Sequence, residues 1–192
     1  MQNVANRFSS KIKDNLGAFG VPAYRRYWFG SFASVGAIQI STIVQGWLII
    51  DEMGGTPLWL GYLGASTSIP TIIVAIFGGV LADKFNKRTL MFIISSFMAI
   101  SLVILALLDS SGHIKLWHVL LIAAIQGVFA GLDGPIRSSF FPLLISRKHM
   151  MSAVALSSAM WQLGRILAPA IGGWIIVSAG TEGAFFAASI GW

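Results

Sequence analysis

Three charged side chains, Asp133, Arg137 and Arg165, lie within or at the edge of long apolar stretches of this 192-residue chain. Asp133 and Arg137 are four residues apart, which places them on one helical face with the acid first, the order that favours an ion pair. Charged groups in apolar surroundings are costly unless they pair or meet a ligand, so they are candidates for function. For this pair we favour a charge clamp between helix ends over a proton relay.

Arg165 lies near the middle of its apolar stretch, and no acidic residue of the chain is expected at the same depth. Trp161 and Gln162 lie about one helical turn before it, and together the three offer an aromatic face, an amide and a cation. Gln39 and Gln126 are further amides within apolar stretches. We predict that these five residues line a cavity for a small amphipathic substrate. Hydrogen bonding between neighbouring helices is the alternative for each amide.

The sequence offers no pattern that indicates an enzyme. It contains no Cys, and its three His residues are scattered without metal-ligand spacing, so we predict neither a metal site nor a cofactor. A phosphate-binding glycine loop, a zinc-binding helix and a serine-nucleophile turn are all missing from the sequence. Catalysis is therefore the least favoured class of function.

The composition is typical of a membrane protein. Hydrophobic residues make up 56% of the chain and charged residues 10%, against about 45–50% and about 25% in soluble domains. Crossing a bilayer takes about 20 apolar residues in a helix. We predict an all-α polytopic membrane protein with a transmembrane bundle over residues 28–192. Its spans are expected at about 28–50, 59–82, 89–108, 117–137 and 151–179, with a sixth, incomplete span at 184–192.

Lysine and arginine are concentrated in alternate connections. The N-terminal segment and the connections after the second and fourth spans hold ten of them, whereas the opposite side holds only Lys115. The positive-inside rule therefore places the N-terminus in the cytoplasm. The net charge of +6 thus indicates topology and argues against nucleic-acid binding. We expect residues 1–27 to be a cytoplasmic segment with a short helix on the membrane surface. A plain solvated tail is the alternative.

The last predicted span breaks off early. Nine helical residues, 184–192, cover about 13 Å, which is less than half of a bilayer crossing. A helix that ends inside the hydrocarbon leaves carbonyl groups unsatisfied there. We therefore expect this chain to be a fragment, with a partner for Arg165 supplied by the missing part or by the substrate. An arginine that packs between helices and bonds to backbone carbonyls is the alternative. Gly127 and Gly131, spaced by four, are predicted to allow close approach of another helix.

Several segments resemble the N-terminal half of a major facilitator superfamily transporter. Residues 79–88 (GVLADKFNKR) resemble the loop signature of that superfamily, and they lie between the second and third spans, where it belongs. Residues 133–137 (DGPIR), 155–158 (ALSS) and 165–173 (RILAPAIGG) are similar to the efflux branch that includes drug, macrolide and siderophore exporters. The chain departs from these patterns at Ala168, where the branch has glycine.

The resemblance implies one six-helix half of a twelve-helix transporter with a central cavity and alternating access. It implies efflux of a small-molecule substrate by an antiporter, driven by an ion gradient and usually by protons, in the lipid of a bacterial inner membrane. It also implies a gating loop, formed by Gly79, Asp83, Lys84, Lys87 and Arg88. The C-terminal half would be the missing partner.

Two rival functions remain open at this point. A half-size transporter that works as a homodimer would use the same residues. A non-transporting membrane scaffold or assembly protein would need none of the charged positions for transport.

Overall fold

The computed structural model describes residues 17–192, of which residues 80–83 are described by their backbone alone. Within these residues there are five long helices and no strand: α1 (Pro22–Trp47), α2 (Leu58–Lys84), α3 (Lys87–Ser110), α4 (Leu116–Phe140) and α5 (Met150–Ile190). By length and composition, each helix is able to cross a membrane. The prediction of an all-α polytopic membrane protein is therefore confirmed.

Short segments complete the connections. A π-helical turn, Leu48–Glu52, prolongs α1, and 3-10 turns occupy Gly17–Gly20, Phe141–Leu144 and Arg147–His149. The predicted surface helix lies largely within residues 1–16, outside the described residues.

Local chemistry accounts for several helix ends. Pro22 occupies the first turn of α1, where a helix needs no amide hydrogen. Asn86 caps α3, because its Oδ1 accepts a hydrogen bond from the Arg88 backbone N at 3.0 Å. At Gly180 the helix α5 is broken, since φ there is 72°, a value that glycine adopts readily. The predicted fifth and sixth spans lie on either side of this break.

Two helix pairs build the bundle, α2 with α4 and α1 with α5, and α3 packs against α4 and α5. The α2–α4 contact is close because two glycines lie in it. A Cβ at Gly131 would stand 2.6 Å from the Thr71 carbonyl oxygen, and one at Gly127 would overlap the Thr67 carbonyl oxygen. The predicted close approach at Gly127 and Gly131 is thus confirmed, with α2 as the partner helix.

The main core lies between α1, α3, α4 and the last part of α5. It includes Val44, Leu102, Leu105, Val119 and Phe185, all nearly or fully buried. Large apolar side chains on the outside remain exposed, among them Ile76, Phe92 and Val177. In a membrane-spanning bundle, such a surface is covered by lipid or by further transmembrane protein.

Candidate functional site: two cavities along α1

A cavity of about 420 Å³ lies between α1, α2, α3 and α4 and is called the larger cavity below. Its lining combines apolar side chains with hydroxyls and amides, and none of the lining side chains is charged. The polar side chains are Ser41, Thr42, Gln45, Thr67, Ser68 and Gln126. The cavity therefore offers hydrogen bonds without a net charge.

A directional chain of hydrogen bonds joins three helices at this cavity. Ser101 Oγ donates to the Met98 carbonyl oxygen at 2.8 Å, so it can only accept from Gln126 Nε2, at 3.0 Å. Gln126 Oε1 then faces α1 and accepts a bond from Gln45 Nε2 at 3.0 Å. Gln45 Nε2 also donates to Ser41 Oγ at 2.8 Å. In this arrangement both amides share one direction, and the series of hydrogen bonds ends at Gln45 Oε1.

The smaller cavity, of about 220 Å³, lies between α1, α4 and α5 and contains an ion pair. Arg137 Nε donates to Asp133 Oδ2 at 2.6 Å, and Arg137 Nη1 donates to Ser31 Oγ of α1 at 2.9 Å. The side chains of Arg137 and Asp133 are 18% and 13% exposed. Asp133 Oδ1 is buried and accepts no hydrogen bond within the described part of the chain. The pair thus links α4 to α1 and keeps one carboxylate oxygen unsatisfied.

Ile38 lines both cavities. Ser34 and Val35 of α1 line the smaller cavity, and Ser41 and Thr42 line the larger one. These residues fall within about two turns of the helix. The two cavities therefore follow one another along α1, and a movement of this helix changes both.

The structure divides the residues that were predicted to line one cavity. Gln126 lines the larger cavity and Trp161 the smaller one. Gln39 is partly buried on α1 but lines neither cavity. Gln162 and Arg165 are exposed on α5 and also lie outside both cavities. Arg165 makes no ion pair with any residue that the structure describes.

The predicted gating loop joins the end of α2 to the start of α3. Gly79, Lys84 and Arg88 are exposed, and Lys87 is partly buried. The side chain of Asp83 lies outside the described residues. Within the described side chains, Asp133 pairs with Arg137 and with no cation of this loop.

Two groupings were missed by the sequence analysis. Gln45 was not placed in the predicted cavity, although its spacing of four from Ser41 puts both on one helical face. Thr181 Oγ1 lies 2.9 Å from Glu52 Oε1 and 2.5 Å from Asp109 Oδ2. Because a hydroxyl has a single hydrogen, it donates to one of these carboxylates at a time. This second cluster forms where α1, α3 and the Gly180 break meet, so no local pattern indicated it.

Comparison with known proteins identifies a family that this chain matches. The model of the transmembrane secretion effector family matches residues 14–192. The chain is 25% identical to the uncharacterized MFS-type transporter YfiS of Bacillus subtilis over 135 residues, which are 70% of this chain and 31% of the relative. It is also 25% identical to the staphyloferrin A transporter of Staphylococcus aureus over 153 residues, 79% of this chain and 38% of the relative.

A third relative is the enterobactin exporter EntS of Escherichia coli O1:K1, which is 25% identical over 162 residues, 83% of this chain and 38% of the relative. The chain thus spans about a third of the length of the curated relatives it matches. No solved structure gives a significant match.

The family match covers nearly the whole chain, and the relatives are major facilitator transporters that include an exporter. The resemblance stated from the motifs is therefore confirmed, and an integral membrane protein is supported by five apolar helices together with these bacterial relatives. The chain belongs to the transmembrane secretion effector family of the major facilitator superfamily.

Proposed function

We propose that this chain forms part of the pathway of a transporter that exports a small amphipathic compound by alternating access. The observation that carries the proposal is the pair of polar-lined cavities that follow one another along α1 and share Ile38. Apolar side chains suffice to hold helices in lipid, whereas polar groups inside a spanning bundle are costly and mark substrate or ion pathways. A passage for a partly polar molecule is the function that best fits such cavities.

The smaller cavity is assigned to the cytoplasmic side. It lies toward the N-terminal end of α1, and the distribution of Lys and Arg supports a cytoplasmic position for that end. In this assignment, the ion pair of Asp133 and Arg137 holds α4 to α1 through Ser31 and closes the inner end of the pathway. The gating loop 79–88 acts at the same side, where it latches this half of the transporter to the other.

Arg165 has a separate role in this proposal. An exposed arginine within a spanning helix needs a counter-charge or water. We assign it, with Gln162, to the face of α5 that meets the rest of the transporter or the substrate. The remaining two thirds of the length of the relatives gives room for that partner.

The substrate is proposed from the relatives and the cavities together. Two of the relatives are a staphyloferrin A transporter and an enterobactin exporter. A compound of this kind is the proposed cargo, and a proton gradient is the proposed driving force. The proposal of a proton gradient rests on the resemblance to antiporters of the superfamily.

The function is tested by expressing the intact gene product in bacteria that lack their own enterobactin exporter. The extracellular amounts of enterobactin and of fluorescent amphipathic dyes are measured with and without a protonophore. We expect expression to increase export of at least one compound and the protonophore to abolish the increase. Arg165→Ala is expected to reduce export with normal membrane insertion.

Arg147→Ala is the matched control, because Arg147 is exposed in the connection between α4 and α5 and lines neither cavity. It is expected to export like the unmodified protein. Normal insertion without export of any compound, with or without a proton gradient, would contradict the proposal and favour the scaffold.

A further inference from the structure

We propose that the larger cavity binds an uncharged part of the transported compound and recognises a hydrogen-bond donor on it through Gln45 Oε1. The inference rests on the proposed function, and it specifies the chemistry of the ligand at one of the two cavities. The donor is a hydroxyl or an amide N–H.

The first argument is the orientation of Gln45. Its side chain is 4% exposed, and both hydrogens of its Nε2 are committed, to Ser41 and to Gln126. In the structure Ser101 donates to the Met98 carbonyl oxygen and accepts from Gln126, and this arrangement gives Gln45 its orientation. Gln45 therefore presents an acceptor, and not a donor, at the end of this series of hydrogen bonds.

The second argument is that this acceptor is free and accessible. Gln45 Oε1 accepts no hydrogen bond from any described residue, whereas every other polar side-chain atom of this hydrogen-bond chain makes at least one. It is also not among the described atoms that are both unsatisfied and sealed from solvent. Because Gln45 lines the larger cavity, a molecule in the cavity reaches this oxygen. A carbonyl oxygen without a donor at a largely buried site gains from a ligand that supplies one.

The third argument is the absence of charge among the lining residues. A charged group placed in this cavity would lose its hydration without meeting a counter-ion, which is strongly unfavourable. The smaller cavity differs, because Asp133 and Arg137 face each other in it. Apolar contacts in the larger cavity come from Leu60, Leu63 and Leu102. The volume of about 420 Å³ is in the usual range for small-molecule sites, so the ligand is a neutral amphipathic group with a donor.

The test uses three probes with one ring system. 1-Naphthol carries a hydroxyl donor, 1-methoxynaphthalene has no donor, and 1-naphthoate is an anion. Equilibrium binding of each probe to the intact gene product in lipid nanodiscs is measured, with empty nanodiscs subtracted. We expect 1-naphthol to bind about three- to tenfold more tightly than 1-methoxynaphthalene and at least about tenfold more tightly than 1-naphthoate. Equal affinity for 1-naphthol and 1-methoxynaphthalene would overturn the inference without any variant.

Variants then locate the preference. Gln45→Leu is expected to bind 1-methoxynaphthalene as before and to lose the preference for 1-naphthol. Retained binding of the methoxy probe shows that the cavity is intact. Gln39→Leu is the matched control, since Gln39 lies on the same helix but lines neither cavity, and it is expected to keep the preference. A Gln45→Leu protein that still prefers 1-naphthol would also overturn the inference.

The outcomes separate this inference from the proposed function. Export without any preference for the donor probe would refute the role of Gln45 and leave the transporter in place. A preference that depends on Gln45, without export of any compound, would support the binding site and refute the exporter.

Discussion

The two cavities beside α1 satisfy their polar groups in different ways. In the smaller cavity, opposite charges 2.6 Å apart lie on one helix, and Arg137 extends the link to Ser31 of α1. In the larger cavity, uncharged amides and hydroxyls form a chain across α1, α4 and α3 that ends at a free acceptor. The comparison fits the proposed division of roles, in which the smaller cavity holds helices together and the larger one accepts a ligand.

The largest expected effect is on the ion pair. Arg137→Leu leaves the Asp133 carboxylate buried without its counter-charge, so we expect the free energy of unfolding to fall by about 3 kcal/mol. Unfolding is followed by circular dichroism in mixed micelles of increasing SDS content. Arg165→Leu is the matched control: Arg165 is exposed on α5 and has no ion pair among the described residues, so little change is expected. Equal effects of the two substitutions would break the distinction between a paired and an unpaired arginine.

The wall of the larger cavity is expected to be nearly as sensitive. A methyl group at Gly127 would overlap the Thr67 carbonyl oxygen, so Gly127→Ala must push α2 away from α4. We expect a loss of about 1–3 kcal/mol in the free energy of unfolding, together with weaker binding of 1-naphthol. Gly134→Ala, on the same helix with open space around its Cβ position, serves as the control and should be neutral. An unchanged Gly127→Ala protein would refute the close contact.

A smaller effect is expected from breaking the hydrogen bonds between the side-chain amides at the larger cavity. Gln126→Leu removes the group that orients Gln45 and leaves the Ser101 hydroxyl without its donor. We expect about 1–2 kcal/mol of destabilisation, with Gln45 then free to turn its amide. The probe preference should fall because both ends of the Gln45 amide become available. Binding of the three naphthalene probes to this variant is the measurement, and an unaltered preference would show that Gln126 does not orient Gln45.

The smallest effect is expected at Ser31. Ser31→Ala removes one hydrogen bond to Arg137 but leaves the ion pair with Asp133 intact. The expected loss is about 1 kcal/mol, measured by the same SDS unfolding. A loss as large as that of Arg137→Leu would mean that the tie to α1, and not the pairing of charges, stabilises the smaller cavity.

Sequence reasoning was most successful where one helix contains the whole pattern. The apolar stretches predicted an all-α membrane protein, and Gly127 and Gly131 predicted a close helix contact. Asp133 and Arg137 were expected on one face because their spacing is four residues. Each of these inferences depends on local periodicity, which the three-dimensional arrangement does not alter.

Groupings that join several helices could not be predicted in the same way. The glutamines were recognised as polar residues in apolar stretches, but which of them share a cavity depends on the rotation of each helix. Gln45 and Gln126 meet, whereas Gln39 and Gln162 do not join them. The contact of Thr181 with Glu52 and Asp109 depends on the break at Gly180, which turns the chain between two apolar segments.

The measurement that tests the transport pathway most directly is cysteine accessibility at the two cavities. The chain contains no Cys, so Thr42→Cys in the larger cavity and Ser138→Cys in the smaller one give single labels once any others in the intact gene product are replaced. A membrane-impermeant maleimide is applied to intact cells and to inside-out vesicles, with and without a protonophore.

Alternating access predicts that Thr42→Cys reacts from the outside and Ser138→Cys from the inside. It also predicts that a condition which increases labelling of one decreases labelling of the other. Labelling of both positions from the same side, or changes in the same direction at both, would contradict a pathway that opens alternately along α1.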